Sequence, residues 1–70
     1  MKYREVLQQL IDEKDITPAE IERRCGVKRR TIYEILSGRS KSPSFINAKK
    51  IADALDVPLQ YFADKVDEDN

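Results

Sequence analysis

The stretch CGVKRRTIYEIL, residues 25–36, sets Lys28, Arg29 and Arg30 side by side at the head of an apolar helical pattern. The chemistry available to such a group is anion binding. A lysine ammonium is a compact point charge suited to phosphate, whereas the planar arginine fork also matches the O6 and N7 acceptors of guanine. Ile32, Ile35 and Leu36 recur at helical spacing, so residues 29, 30, 33 and 34 must point away from the core on a 3.6-residue helix. The outward face therefore carries Arg29, Arg30, Tyr33 and Glu34.

The chain as a whole is neutral, with 13 Lys and Arg against 13 Asp and Glu, but the charges are strongly partitioned. Residues 1–22 hold three cations and six acids, a net of −3. Residues 23–50 hold nine cations against Glu34 alone, a net of +8, and residues 51–70 hold Lys65 against six acids, a net of −5. A one-signed segment attracts a polyanion even when the molecule is neutral overall. A solvated surface helix is the bland alternative, and a 28-residue block with one acid argues against it.

Seventy residues make one domain. A chain of this size buries only about 60% of the surface its unfolded form exposes, so a compact, well-formed core is required. Hydrophobic residues at 40% and charged residues at 37% suit a small helical domain with a heavily solvated outside. The single cysteine, Cys25, excludes an internal disulfide and sits in an apolar pattern, which reads as a small core residue. Histidine is absent, no carboxylate pair falls in a recognisable pocket pattern, and there is no Gly-rich phosphate loop. No enzyme, metal, cofactor or small-molecule ligand is therefore expected. The apolar runs are too short to span a bilayer and no signal-peptide pattern opens the chain, so the expected location is the cytoplasm, with no membrane partner.

The elements that must position the cations follow from periodicity and punctuation. Val6, Leu7, Leu10 and Ile11, with Tyr3, form the stripe of an amphipathic helix from Met1 to about Asp15. Thr17-Pro18-Ala19-Glu20 is a helix start, with Thr17 as N-cap and Pro18 at the first helical position; Ile21, Arg24 and Cys25 face inward and Gly26 ends the helix. The third helix spans about Lys28 to Ser37 and closes at Gly38. A polar loop, RSKSP, leads to Ser44 as the cap of a fourth helix with Ala48, Ile51, Ala52 and Leu55 at helical spacing. Asp56-Val57-Pro58 breaks it, and Leu59, Tyr61 and Phe62 predict a fifth short helix. The prediction is an all-α, five-helix domain over residues 1–64, followed by an acidic, frayed tail at 65–70.

Two short helices joined through Gly26, the second opening on cations, have the helix-turn-helix arrangement. TPAEIERRCGVKRRTIYEILSG followed by PSFINAKKIADALDVPLQYF resembles the Xre/Cro/phage-repressor (lambda-repressor-like) family of DNA-binding domains, over about residues 3–64. The resemblance implies a recognition helix at 28–37 in the major groove of double-stranded DNA, with base contacts from Arg29, Arg30, Tyr33 and Glu34. Glu34 has two readings: acceptor from a cytosine N4 amine, or partner of Arg30 in an i, i+4 pair. Tyr33 is open between a thymine methyl, a phosphate and plain exposure.

Phosphate contacts are expected from Lys28 and Thr31 on the recognition helix and from the Thr17 hydroxyl at the amide-rich start of the second helix. The resemblance adds Arg39, Lys41, Ser42 and Asn47, placed where the DNA backbone passes in the family; Lys49 and Lys50 are weaker candidates. Three positions depart from the family pattern. Pro18 replaces a glutamine that commonly contacts the backbone, and Lys28 replaces a serine or threonine cap. Glu22 replaces an alanine that lets the two helices approach, and it must sit at the edge or reach a cation such as Arg29, because a buried unpaired carboxylate is costly.

One motif reads about half a site, and members of this family generally pair across successive major grooves about 34 Å apart. A homodimer, weak or formed on DNA, is expected, with Leu59, Tyr61, Phe62 and Val66 as its interface; the alternative is that Leu59 and Phe62 cap the core. The expected function is sequence-specific transcriptional regulation, of the phage or bacterial repressor type. Two other readings stay open: an antitoxin-like or regulatory protein–protein module using the basic face, and the N-terminal DNA-binding domain of a longer repressor.

Overall fold

The computed structural model describes residues 1–39 and 42–66, and among them five α-helices: α1 (Tyr3–Lys14), α2 (Pro18–Cys25), α3 (Arg29–Ser37), α4 (Phe45–Ala54) and α5 (Leu59–Lys65). No strand occurs among the described residues. Residues 67–70 of the expected tail lie outside them; α5 itself runs to Lys65, and Val66 packs against the core.

The boundaries have local chemical causes. Thr17 Oγ1 accepts from the Glu20 amide at 3.2 Å and Pro18 opens α2, so two groups left without helical partners are dealt with at once. Ser44 does the same for α4, accepting from the Asn47 amide at 3.3 Å. Lys28 stands at the N-cap of α3 and makes no side-chain cap bond, because an ammonium has no acceptor to offer. Gly26 ends α2 at φ 85° and donates its amide to the Glu22 carbonyl at 2.7 Å. A Cβ there would meet nothing within 4 Å, so glycine is favoured by the left-handed backbone alone.

Packing then fixes how the helices lie. α3 packs against α1 and α2, α4 packs against α2 and α5, and α5 closes back onto α1. The shared core takes Val6, Leu7 and Leu10 from α1, Ile21 from α2, Ile32 and Ile35 from α3, and Ile51 from α4, with Leu55 just beyond it. Each such side chain contributes about 1.5–3 kcal/mol by leaving water. No charged residue is buried among the described residues, so the basic block lies entirely outside this core. Cys25 and Leu36 are half-buried against it, and Ala48 is half-buried.

Phe62, expected at a pairing surface, is instead a core residue of the single chain. It is 2% exposed and stacks on Tyr3 with ring centroids 4.7 Å apart, which joins α5 to α1. A seven-residue helix has little stability of its own and depends on packing of its apolar face, of which Phe62 is the buried member.

Tyr3 is buried with it, and its hydroxyl finds no hydrogen-bond partner among the described residues. Burial pushes the phenol well above its ordinary value. An unpartnered buried hydroxyl costs about 1–3 kcal/mol, and phenylalanine keeps the ring without it. Tyr3→Phe is therefore expected to leave the urea midpoint at pH 7 unchanged or raise it. The raised phenol also predicts loss of stability as pH rises above about 10, where the unfolded tyrosine ionises and the folded one does not. That alkaline decline should be shallower in Tyr3→Phe; an equal decline in both proteins would show that Tyr3 does not contribute to it.

Candidate nucleic-acid interface

The core positions of α3 leave a face of opposite chemistry pointing outward. Arg29, Arg30, Tyr33, Glu34 and Ser37 of α3 line one open, shallow concavity, and Arg39 just past the helix completes it. All four residues expected to meet bases therefore share one surface. Tyr33 is exposed, and its ring is unsupported by any aromatic partner among the described residues.

The two arginines are held differently. Arg29 Nε donates to Glu22 Oε1 at 2.7 Å, a bond from α3 to α2. The departure from alanine at position 22 is thus resolved by a cross-helix ion pair at the edge of the motif. Hydrogen bonding from Arg29 holds the Glu22 carboxyl below its ordinary range, against a smaller opposing effect of desolvation, with the charges of Arg29 and Lys28 assisting. Arg30 pairs with Glu34 one turn on, at 3.6 Å, and its side chain is 88% exposed. The pair with Arg30 is thus present in the free protein. At that distance and exposure it is weak and freely exchanged for another partner.

Other cations of the basic block have structural work. Glu20 binds Arg23 and Arg24, which occupies the carboxylate that could otherwise have returned to the Thr17 amide. Arg24 also donates from Nη1 to the Ala54 carbonyl at 2.9 Å, so it caps the C-terminal end of α4 from α2. Lys49 meets Asp53 at 3.5 Å. Lys28, Arg39 and Lys50 make no ion pair among the described residues. Two of these three, Lys28 and Arg39, adjoin the two ends of α3.

The expected phosphate contacts fall in several places. Thr17 is exposed at the start of α2, and its hydroxyl, accepting from the Glu20 amide, still has a proton to donate. Thr31 is half-buried on α3, Ser42 is exposed in the loop, and Asn47 is half-buried in the first turn of α4. Lys41 lies outside the described residues. Of the expected pairing surface, Leu59, Tyr61 and Val66 are half-buried, and Lys65 lies over the Tyr61 ring at 5.0 Å.

One surface was not anticipated. Phe45 and Ile46, at the head of α4, are 71% and 65% exposed. The signal was in the sequence: relative to the stripe of Ala48, Ile51, Ala52 and Leu55, Ile46 lies opposite and Phe45 falls beyond the edge.

Among the described residues no group of histidine, cysteine or carboxylate side chains could hold a metal ion, and no helix is long and apolar enough to cross a membrane. No curated protein matches the chain. A helix-turn-helix family profile matches residues 7–62, which takes in α2 and α3 whole and extends from within α1 into α5. The chain belongs to the Cro/C1-type helix-turn-helix family of DNA-binding regulatory domains.

Proposed function

We propose that the protein is a sequence-specific regulator of transcription that binds double-stranded DNA, with α3 in the major groove, and that it acts as a repressor of the phage or bacterial type. The observation that carries this reading is the shared concavity of Arg29, Arg30, Tyr33, Glu34 and Arg39 on the outward side of the second helix of the motif. Arginine forks there offer guanine O6 and N7 a bidentate partner, and Glu34 can exchange Arg30 for a cytosine N4 amine. Lys28, Arg39 and the loop serine Ser42 approach phosphates on either side and set the register, with Thr17, Thr31, Lys41 and Asn47 as further backbone contacts.

Binding as a homodimer places two copies of α3 in successive major grooves, about 34 Å apart. Leu59, Tyr61 and Val66 form the proposed pairing surface, without Phe62. Such a dimer selects an inverted repeat from a randomised duplex pool, whereas a monomer selects a single half-site.

The reading is tested by fluorescence anisotropy with a random-sequence duplex at several salt concentrations. Expected is binding that weakens linearly on a log–log plot, with a slope of about −0.9 for each phosphate neutralised and several phosphates in all. Absence of binding even at low salt would transfer the basic face to an acidic protein partner, the second reading.

A further inference from the structure

We infer that Glu22 is a specificity-setting residue of the interface: by holding Arg29 through Nε it presents the two terminal nitrogens of that arginine to a base and weakens its capture by phosphate. This rests on the DNA-binding reading above and adds to it a residue of α2 that does not itself touch DNA. The bond from Arg29 Nε to Glu22 Oε1 is 2.7 Å, within the usual range of a charge-assisted bond, and links the two helices of the motif. A guanidinium can meet a planar acceptor pair either side-on, through Nε and one Nη, or end-on, through both Nη atoms. Glu22 occupies the side-on edge. The end-on pair makes no hydrogen bond to any described residue and is left for guanine O6 and N7.

Charge gives Glu22 its second effect. A free arginine on this face is attracted to any phosphate, whatever the sequence, and raises affinity for all DNA alike. Paired with a carboxylate, Arg29 contributes little net charge to that general attraction, while its hydrogen-bond geometry remains. The pair thus exchanges non-specific affinity for selectivity, which depends on the difference between right and wrong sites. Arg30 provides the contrast within the same face: its pair with Glu34 is longer and more exposed, so it keeps the freedom that Arg29 has lost.

The test uses the whole chain in three forms: wild type, Glu22→Ala and Glu22→Gln. Folding is checked by thermal melting, and each form is used to select duplexes from one randomised pool and to titrate a random-sequence duplex. Glu22→Ala is expected to bind the random duplex more tightly, with a log–log salt slope steeper by about 0.9, one additional phosphate. Its selected motif should lose preference at one base pair per half-site by about fivefold or more, the low end of what one bidentate guanine contact contributes. Glu22→Gln keeps a carbonyl to accept from Nε without the charge, and should retain the motif while gaining the same random-duplex affinity. A role confined to stability would change melting and leave the selected motif alone. Glu22→Ala selecting the wild-type motif with undiminished preference at every position would overturn the inference. Failure of the wild type to enrich any motif would instead strike the DNA-binding reading itself.

Discussion

Arg29→Ala and Arg30→Ala are each expected to weaken binding to a duplex selected from a randomised pool by about 1–3 kcal/mol, roughly 5- to 150-fold, with the larger loss at Arg29. The two differ because of what each leaves behind. Removing Arg29 strands the Glu22 carboxylate, which lies 2.7 Å from the lost Nε and then adds its negative charge to the surface proposed to meet phosphates. Removing Arg30 strands Glu34 less severely, since that pair is already 3.6 Å long and open to water. Combining Arg29→Ala with Glu22→Ala should recover part of the affinity, a coupling that a double-mutant cycle reads directly. Both arginines are exposed, so thermal melting of the single variants should stay close to wild type. Undiminished affinity in both variants would move the recognition surface off α3.

Ile32→Ala is expected to cost about 2–5 kcal/mol of folding stability. Ile32 is fully buried on the inner side of α3, where the helix packs on α1 and α2. A domain of this length has a total stability of only about 4–10 kcal/mol, so the variant should populate unfolded chain well below the wild-type urea midpoint. Ile32→Val, which removes one methyl group, should cost about 0.5–1.5 kcal/mol. The contrasting control is Ile46→Ala: the same residue type, but 65% exposed at the head of α4, with little expected effect on the midpoint. Equal shifts at positions 32 and 46 would contradict the assignment of core and surface. DNA binding by Ile32→Ala should fall in step with the folded fraction, since the residue has no contact of its own to offer.

The ends of the helices were legible because they rest on local chemistry. Thr17-Pro18 opens α2, Ser44 opens α4, and Gly26 and Gly38 take the left-handed backbone that closes α2 and α3. Each of these depends on neighbours within about four residues, so no knowledge of the remainder of the chain is needed. The inward stripe of α3 was legible for the same reason, and with it the outward set of Arg29, Arg30, Tyr33 and Glu34. Phe62 was harder. A short terminal helix with several apolar residues fits a core cap and a pairing surface equally well, and the choice depends on whether a distant ring is waiting. Tyr3, 59 positions earlier, is that ring.

By itself the sequence determined the five helices, the partition of charge that gathers eight net positive charges between residues 23 and 50, and the face of α3 that carries its cations. These follow from periodicity and from composition, which are properties of neighbours along the chain. Only the tertiary structure decided which cations are tied to a neighbouring helix. Arg24 was drawn to the end of α4 and Arg29 to Glu22 of α2, while Lys28 and Arg39 kept no acidic partner among the described residues. An ion pair forms with whatever acid the fold brings within about 4 Å, and in a helical domain that acid can come from another helix altogether.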